Sequence, residues 1–272
     1  LSLELILILF VIGIATGVLS GLFGVGGGII IVPSLIAVYS FTGFDSPYVV
    51  HIAIATSLFT IVFTSISSAH KHFGHGNVNW PAAVIIGITS SVMVYFFSKA
   101  ALELPGDVLK KIFSIVLIVV AVKMLIDKKK PADEKEITEI PENYNKFVCG
   151  IIGILSGAIA AFSGLGGGVF VVPLMHYVLK FPFKKAIGTS SAAILITAIA
   201  GVVSYFLNMP EGLKIAPYSF GMVDTFSALP IIAASIPFAT LGVYINSKTH
   251  HYLLAKLFAV FILIVSLKLL FF

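Results

Sequence analysis

Two short glycine runs constrain this chain more than any other feature. Gly24-Val25-Gly26-Gly27-Gly28 is followed five residues on by Pro33, and Gly164-Leu165-Gly166-Gly167-Gly168 is followed at the same distance by Pro173, so every member recurs at an offset of 140. Each run interrupts an otherwise apolar stretch. Glycine loses the most backbone freedom on folding and marks places where a chain breaks or another group comes close. In hydrocarbon a break exposes amides that lipid cannot satisfy, so such backbone persists only where protein buries it or where it lines a polar cavity. Two copies therefore predict two broken elements facing one shared site.

The environment follows from composition. Apolar residues make up 58% and charged residues 11%, with mean hydropathy +1.09, against about a quarter charged in soluble domains. Runs such as Leu5–Val18, Val108–Met124, Ala186–Leu207 and Leu253–Leu267 approach or reach bilayer-spanning length. The fold class is an all-α polytopic membrane protein, with the lipid bilayer as its first partner. The net charge of +5 comes from lysines in short loops rather than on one basic face, so no nucleic acid is expected. All 17 basic residues are lysine, so no bidentate guanidinium clamp on an anion is available. Cys149 stands alone, which excludes an intrachain disulfide or a thiolate cluster. Neither glycine run fits a dinucleotide fingerprint or a P-loop, and no cofactor is expected.

Each half reads as five apolar segments: about Leu3–Ser20, Leu22–Ser40, His51–His70, Trp80–Ser98 and Val108–Ile126, then about Phe147–Ala160, Phe162–Leu179, Ala186–Leu207, Val223–Ile245 and His251–Phe272. Residues 1–126 form a first membrane repeat and 147–272 a second, joined by a hydrophilic linker over 127–146. Thr56-Ser57 pairs with Thr189-Ser190 and Thr64 with Thr197 at an offset of 133, while Gly76-x-Val78-Asn79 pairs with Gly221-x-Val223-Asp224 at 145. Duplicated halves are a common plan for secondary transporters. If the first two segments of each half both cross, or form a hairpin that dips in and returns, each half crosses an odd number of times and the repeats are inverted. Most lysines then lie on the linker's side, which the positive-inside rule places in the cytoplasm, with both termini outside the inner (plasma) membrane.

After each glycine run, Ile29 or Val169 begins about a dozen residues, enough for a half-helix. A helix start at mid-membrane presents free N–H groups and partial positive charge, an anion site. Pro33 and Pro173 fall in the second turn and favour a kink. Gly26, Gly27, Gly28, Gly166, Gly167 and Gly168 are therefore candidate substrate ligands; the alternative is close helix packing, and duplication favours the site. Thr56, Thr60, Thr64 and Ser68 share one face, matched by Ser190, Thr197 and Ser204. Most such hydroxyls bond helix to helix or back to the i−4 carbonyl; Thr56, Ser57, Thr189 and Ser190 are singled out because they recur. His51 and His176 are candidates for gating or proton sensitivity, as ionisable groups within membrane segments. His70, Lys71, His72 and His75 lack a Cys, Asp or Glu neighbour and read as a solvated basic turn rather than a metal cluster. The carboxylates fall at segment ends or in loops, none deep in a segment, and Asp224, matched by Asn79, reads as a helix N-cap.

These features, the tandem GxGGG-x4-P runs, the Thr-Ser elements and the GxV-Asn/Asp turns, resemble the TauE/SafE (sulfite exporter, or toluene sulfonate uptake permease) family over nearly the whole chain. The resemblance implies a carrier of about eight spans for sulfite, sulfoacetate or other organosulfonates, with some members moving other organic anions. It carries binding roles only onto Gly26–Gly28, Gly166–Gly168 and the two Thr-Ser pairs. The expected mechanism is alternating access, with amides and hydroxyls holding the anion's oxygens. A negative cytoplasm favours an exiting monoanion by about 2.3 kcal/mol per 100 mV, and with no deep carboxylate to carry a coupling proton, export is favoured over uptake. A passive anion channel, or a carrier for another small organic anion, is the alternative. An enzyme needs a convergent acid, base or metal set, and the segments hold none.

Overall fold

A computed structural model describes residues 3–44, 46–126, 140–141, 144–210 and 219–249, with individual positions between 256 and 270. Most of the linker expected over 127–146, and the segment expected from about His251 to Phe272, lie outside the described residues. The described chain is helical apart from one two-residue strand pair. Its helices are α1 (Leu3–Phe23), α2 (Gly28–Phe41), α3 (Val49–Gly74), α4 (Trp80–Glu103), α5 (Gly106–Ile126), α6 (Lys146–Ser163), α7 (Gly168–Tyr177), α8 (Phe183–Leu207) and α9 (Thr225–Lys248). The strands β1 (Ser219–Phe220) and β2 (Val223–Asp224) pair antiparallel just ahead of α9.

Six of these helices, α1, α3, α4, α6, α8 and α9, are long and apolar enough to cross a membrane. Two further apolar helices are shorter. α2 has 14 residues and α7 has 10, which at about 1.5 Å per residue gives roughly 21 and 15 Å, short of a hydrocarbon core about 30 Å thick. The segments expected at Leu22–Ser40 and Phe162–Leu179 are thus each divided. Their first residues extend α1 and α6, the glycine runs leave the helix, and only the remainder forms α2 or α7.

Close backbone approach sets the packing. α1 lies along α9 in the same direction, with Gly13 on Ile231, Gly17 on Ser235 and Gly21 on Ala239. A β-carbon on Gly13 would stand 2.5 Å from the Ile231 carbonyl oxygen. α6 meets α4 through Gly153 on Ile86 and Gly157 on Ser90. Small residues at four-residue spacing are how membrane helices gain dispersion contacts where no hydrophobic force drives them together. α3 and α8 pack on each other at the centre and are the most enclosed of the six, with α9 against α3 and α4 against α8.

Polar caps fix where α4 and α9 begin. Asn79 Oδ1 accepts from the Ala82 N–H at 2.9 Å, and Asp224 Oδ1 from the Ser227 N–H at 3.1 Å. Asp224 is buried, and its Oδ2 accepts from the Tyr39 hydroxyl at 3.0 Å. Asp224→Ala should cost about 1 kcal/mol for the cap and about 1–3 kcal/mol more for the stranded Tyr39 hydroxyl. Asp224→Asn keeps a capping oxygen, as Asn79 does, and should cost far less. Thermal midpoints of the two variants in the same detergent check this, and equal losses would contradict it.

Candidate glycine-turn site

The chain leaves α1 at Phe23 because Gly24, Gly26 and Gly27 take φ of 63°, 72° and 83°, and leaves α6 at Ser163 because Gly164, Gly166 and Gly167 take 68°, 68° and 81°. Left-handed backbone of this kind strains any residue with a β-carbon. The two turns lie against each other. A β-carbon on Gly28 would meet Gly164 O at 2.6 Å and Leu165 Cα at 2.8 Å; one on Gly168 would meet Gly24 O and Val25 Cα, each at 2.8 Å.

The central helices hold the carbonyl side of both turns. Ser57 Oγ on α3 donates to Gly164 O at 2.8 Å, and Ser190 Oγ on α8 donates to Gly24 O at 2.9 Å. Their neighbours Thr56 and Thr189 accept from the backbone N–H groups of Asp224 and Asn79, each at 2.9 Å. All four hydroxyls are buried, and each bonds a residue from the other half of the sequence. Thr64 Oγ1 donates to Gly26 O at 3.1 Å, while Thr60 bonds back to Thr56 O and Thr197 to Ala193 O.

The amide side is different. Among the described residues, no acceptor is found for the N–H groups of Gly26, Gly27, Gly28 and Ile29, nor for those of Gly166, Gly167, Gly168 and Val169. All eight residues are buried. Buried backbone donors are nearly always paired, so two adjacent turns with free amides, each at a helix start carrying partial positive charge, are a basis for holding an anion.

Four further residues complete the surroundings, and the sequence reading passed over them. Ile61 and Ile194 cover both turns: a β-carbon on Gly26 would stand 2.8 Å from Ile61 Cγ2 and 3.3 Å from Ile194 Cγ2, and one on Gly166 would stand 2.6 Å from Ile194 Cγ2 and 3.5 Å from Ile61 Cγ2. Beside Gly27 and Gly167 stand Thr16 and Ser156, whose buried hydroxyls have no partner. The signal was available, since the isoleucines share the offset of 133 and the hydroxyls that of 140.

The two candidate histidines sit elsewhere. His51, in the first turn of α3, is buried with Nε2 on Ala101 O at 3.0 Å, its Nδ1 without a partner and its ring against Tyr48. His176 lies at the end of α7 remote from Gly168, with Nδ1 on Phe181 O at 2.8 Å and its ring against Tyr177 and Phe183. The basic turn expected from His70 to His75 needs correction at one residue. His70, Lys71 and His75 are exposed, but His72 is fully buried with Nε2 on Gly21 O at 3.1 Å. α3 continues to Gly74, so the four-residue step from Ser68 keeps His72 on the face that meets α1.

The sequence profile described as Sulfite exporter TauE/SafE matches residues 9–269. A probable membrane transporter protein of Methanocaldococcus jannaschii is 33% identical over 243 residues, covering 89% of this chain and 86% of that one. One from Haemophilus influenzae is 31% identical over 264 residues, 97% of each chain. The probable membrane transporter protein YunE of Bacillus subtilis is 25% identical over 276 residues, again 97% of each. No solved structure matches the chain.

Proposed function

The chain belongs to the sulfite exporter TauE/SafE family of membrane transporters, and from that premise we propose that it is a secondary carrier of small sulfur-containing anions such as sulfite, sulfoacetate or other organosulfonates. The observation that carries this reading is the pair of buried, adjoining glycine turns whose amides find no acceptor among the described residues. The anion's oxygens take the N–H groups of Gly26, Gly27, Gly28, Gly166, Gly167 and Gly168. Thr56 and Thr189, which accept at their oxygens, keep a hydroxyl proton for a further acceptor. Ser57 and Ser190 hold the turn carbonyls away from the anion. His51, with a buried free Nδ1, and His176 are the residues at which access responds to protonation.

The chain is built as inverted repeats, 1–126 and 147–272, rocking against each other to alternate access. Supporting this, helices of opposite halves run side by side in matched pairs, α1 with α9 and α6 with α4. The lysine distribution supports an inner-membrane orientation with the linker cytoplasmic and both termini outside. Export is the favoured direction, because voltage alone drives a monoanion out.

The test is thermal stabilisation of the purified protein by sulfite, thiosulfate, sulfoacetate, taurine, sulfate and acetate. A ligand of the folded state at 100 times its Kd stabilises by about 2.7 kcal/mol. A selective rise with sulfite or a sulfonate is expected. A rise with a cation or a neutral solute alone, or with none of the set, would remove the substrate class.

A further inference from the structure

The buried cluster where α1 ends against α3 and α8 is polar and incompletely satisfied, and its counterpart in the other half of the sequence is largely apolar. Ser20 on α1, Ser65, Ser68 and His72 on α3 and Ser191 on α8 are all buried. Ser68 Oγ stands 3.1 Å from Ser191 Oγ and 3.4 Å from Ser20 O, and His72 Nε2 is 3.1 Å from Gly21 O, which brings Ser68, Ser191 and His72 to the last turns of α1, with Ser65 three residues before Ser68 on the same helix. Among the described residues, three of their atoms have no partner: Ser20 Oγ, Ser65 Oγ and His72 Nδ1. Shifted by the repeat offsets, the same five positions hold Ala160, Ala198, Gly201, Tyr205 and Leu58. There Tyr205 Oη donates to Ala161 O at 2.7 Å, repeating the bond of His72 to Gly21 O. A β-carbon on Gly201 would stand 2.9 Å from Leu58 Cδ1. The helix-to-helix bond therefore needs no imidazole, and the packing needs no hydroxyls. What the first half adds is three buried polar atoms with nothing to bind.

The tautomer follows from the partner. A carbonyl only accepts, so Nε2 of His72 carries the hydrogen and the neutral ring offers a bare lone pair at Nδ1. That lone pair repels an anion, whereas a protonated Nδ1 donates to one. Among the described residues, no carboxylate stands at this end to pair with the charged ring. Glu4, in the first turn at the other end of α1, is the only carboxylate in α1, α2, α3, α8 and α9. The described ionisable neighbours at this end are cationic or histidine: exposed His70, Lys71 and His75 on α3, Lys184 and Lys185 in the first turn of α8, with Lys184 Nζ on Ser247 O, and Lys248 closing α9. α5, also packed on α3, carries Asp107, Lys110, Lys111 and Lys123 in its sequence. A buried imidazolium is costly unless an opposite charge accompanies it, and an arriving anion supplies one.

Resting on the anion-carrier reading above, we infer that Ser20, Ser65 and His72 form an entry subsite for a small oxyanion that fills only together with a proton on His72 Nδ1. The proton comes from water on the side where α3 ends. It returns to that side when the anion moves on to the glycine turns or back out, so no net charge is added to transport.

Methanesulfonate is the main probe, because it stays a monoanion across the working pH. Nitrate and acetate run beside it. Purified full-length protein in weak buffer between pH 6 and 7 is titrated while a pH dye reads proton uptake and thermal melting reads binding. Wild type is expected to be stabilised and to take up on the order of one proton per chain, as a single ring nitrogen allows. His72→Gln keeps an N–H for Gly21 O and is expected to be stabilised with no proton uptake. Should His72→Gln fail to fold, His72→Tyr copies Tyr205 and gives the same expected result. Stabilisation of wild type without proton uptake, or equal uptake by the variant, overturns the subsite while leaving the sulfonate site intact. Stabilisation only by nitrate or acetate, with uptake lost in the variant, removes the sulfur-anion class and keeps the subsite. Stabilisation by none of the three overturns both.

Discussion

Gly28→Ala and Gly168→Ala are each expected to abolish most anion flux while leaving the protein in the membrane. Neither residue has the left-handed φ of its neighbours, and both begin helices, where alanine is intrinsically the better residue by about 1 kcal/mol. Any loss therefore reports the space beside them. That space holds backbone of the opposite turn, Gly164 O and Leu165 Cα for Gly28, Gly24 O and Val25 Cα for Gly168, between 2.6 and 2.8 Å from the added β-carbon, together with the ends of the Ile61 side chain at Gly28 and, closer still, of the Ile194 side chain at Gly168. Backbone cannot rotate aside as a side chain can, so the turns must separate. Overpacking of this kind costs about 1–3 kcal/mol, and each ~1.4 kcal/mol is tenfold in an equilibrium such as anion binding. Because each substitution displaces the partner turn as well as its own, the double variant should lose less than the sum of the two. Gly74→Ala is the control, since nothing stands within 4 Å of its β-carbon. Flux in proteoliposomes and the thermal midpoint are measured together. Wild-type flux in either variant would mean that contact between the turns is not needed for function.

The duplicated turns were legible because repetition is visible at the level of letters. Glycine triplets, Thr-Ser pairs and Asn79/Asp224 recur at fixed offsets, and a feature kept twice stands out from an apolar background. The roles of the hydroxyls were not legible in the same way. Whether Ser57 donates to an anion or to Gly164 O depends on how α3 meets a turn 107 residues away, which no local pattern encodes. Ile61 and Ile194 recur at the offset of 133, but one more isoleucine in an apolar helix carries no chemical signature, and it takes the geometry over Gly26 and Gly166 to give that recurrence a role. His72 was misplaced for a related reason. Hydropathy falls at His70, but helical geometry does not, and α3 continues one further turn against α1.

Ile61→Ala combined with Ile194→Ala is expected to turn saturable exchange into leak. Both side chains are buried and reach over both glycine turns, so on the proposed reading they lie against whatever the amides hold. A carrier releases to one side at a time only if something closes the other, and paired apolar side chains at a pseudo-symmetric position can serve either side in turn. Each truncation removes three carbons and should cost about 2–5 kcal/mol of stability, so the double variant is best studied near 10 °C below its own midpoint. Ile→Val at both sites, at about 0.5–1.5 kcal/mol each, gives a milder series in which leak should rise by degrees. The readout is sulfite flux into proteoliposomes with and without sulfite inside. Wild type should saturate and speed up when substrate waits on the far side, whereas the double variant should do neither. If wild type itself fails to saturate, the chain is a channel, and the isoleucines constrict rather than alternate. If the double variant still saturates and still exchanges, the two side chains are packing alone, and the closure that makes this fold a carrier lies farther from the glycine turns than their geometry implies.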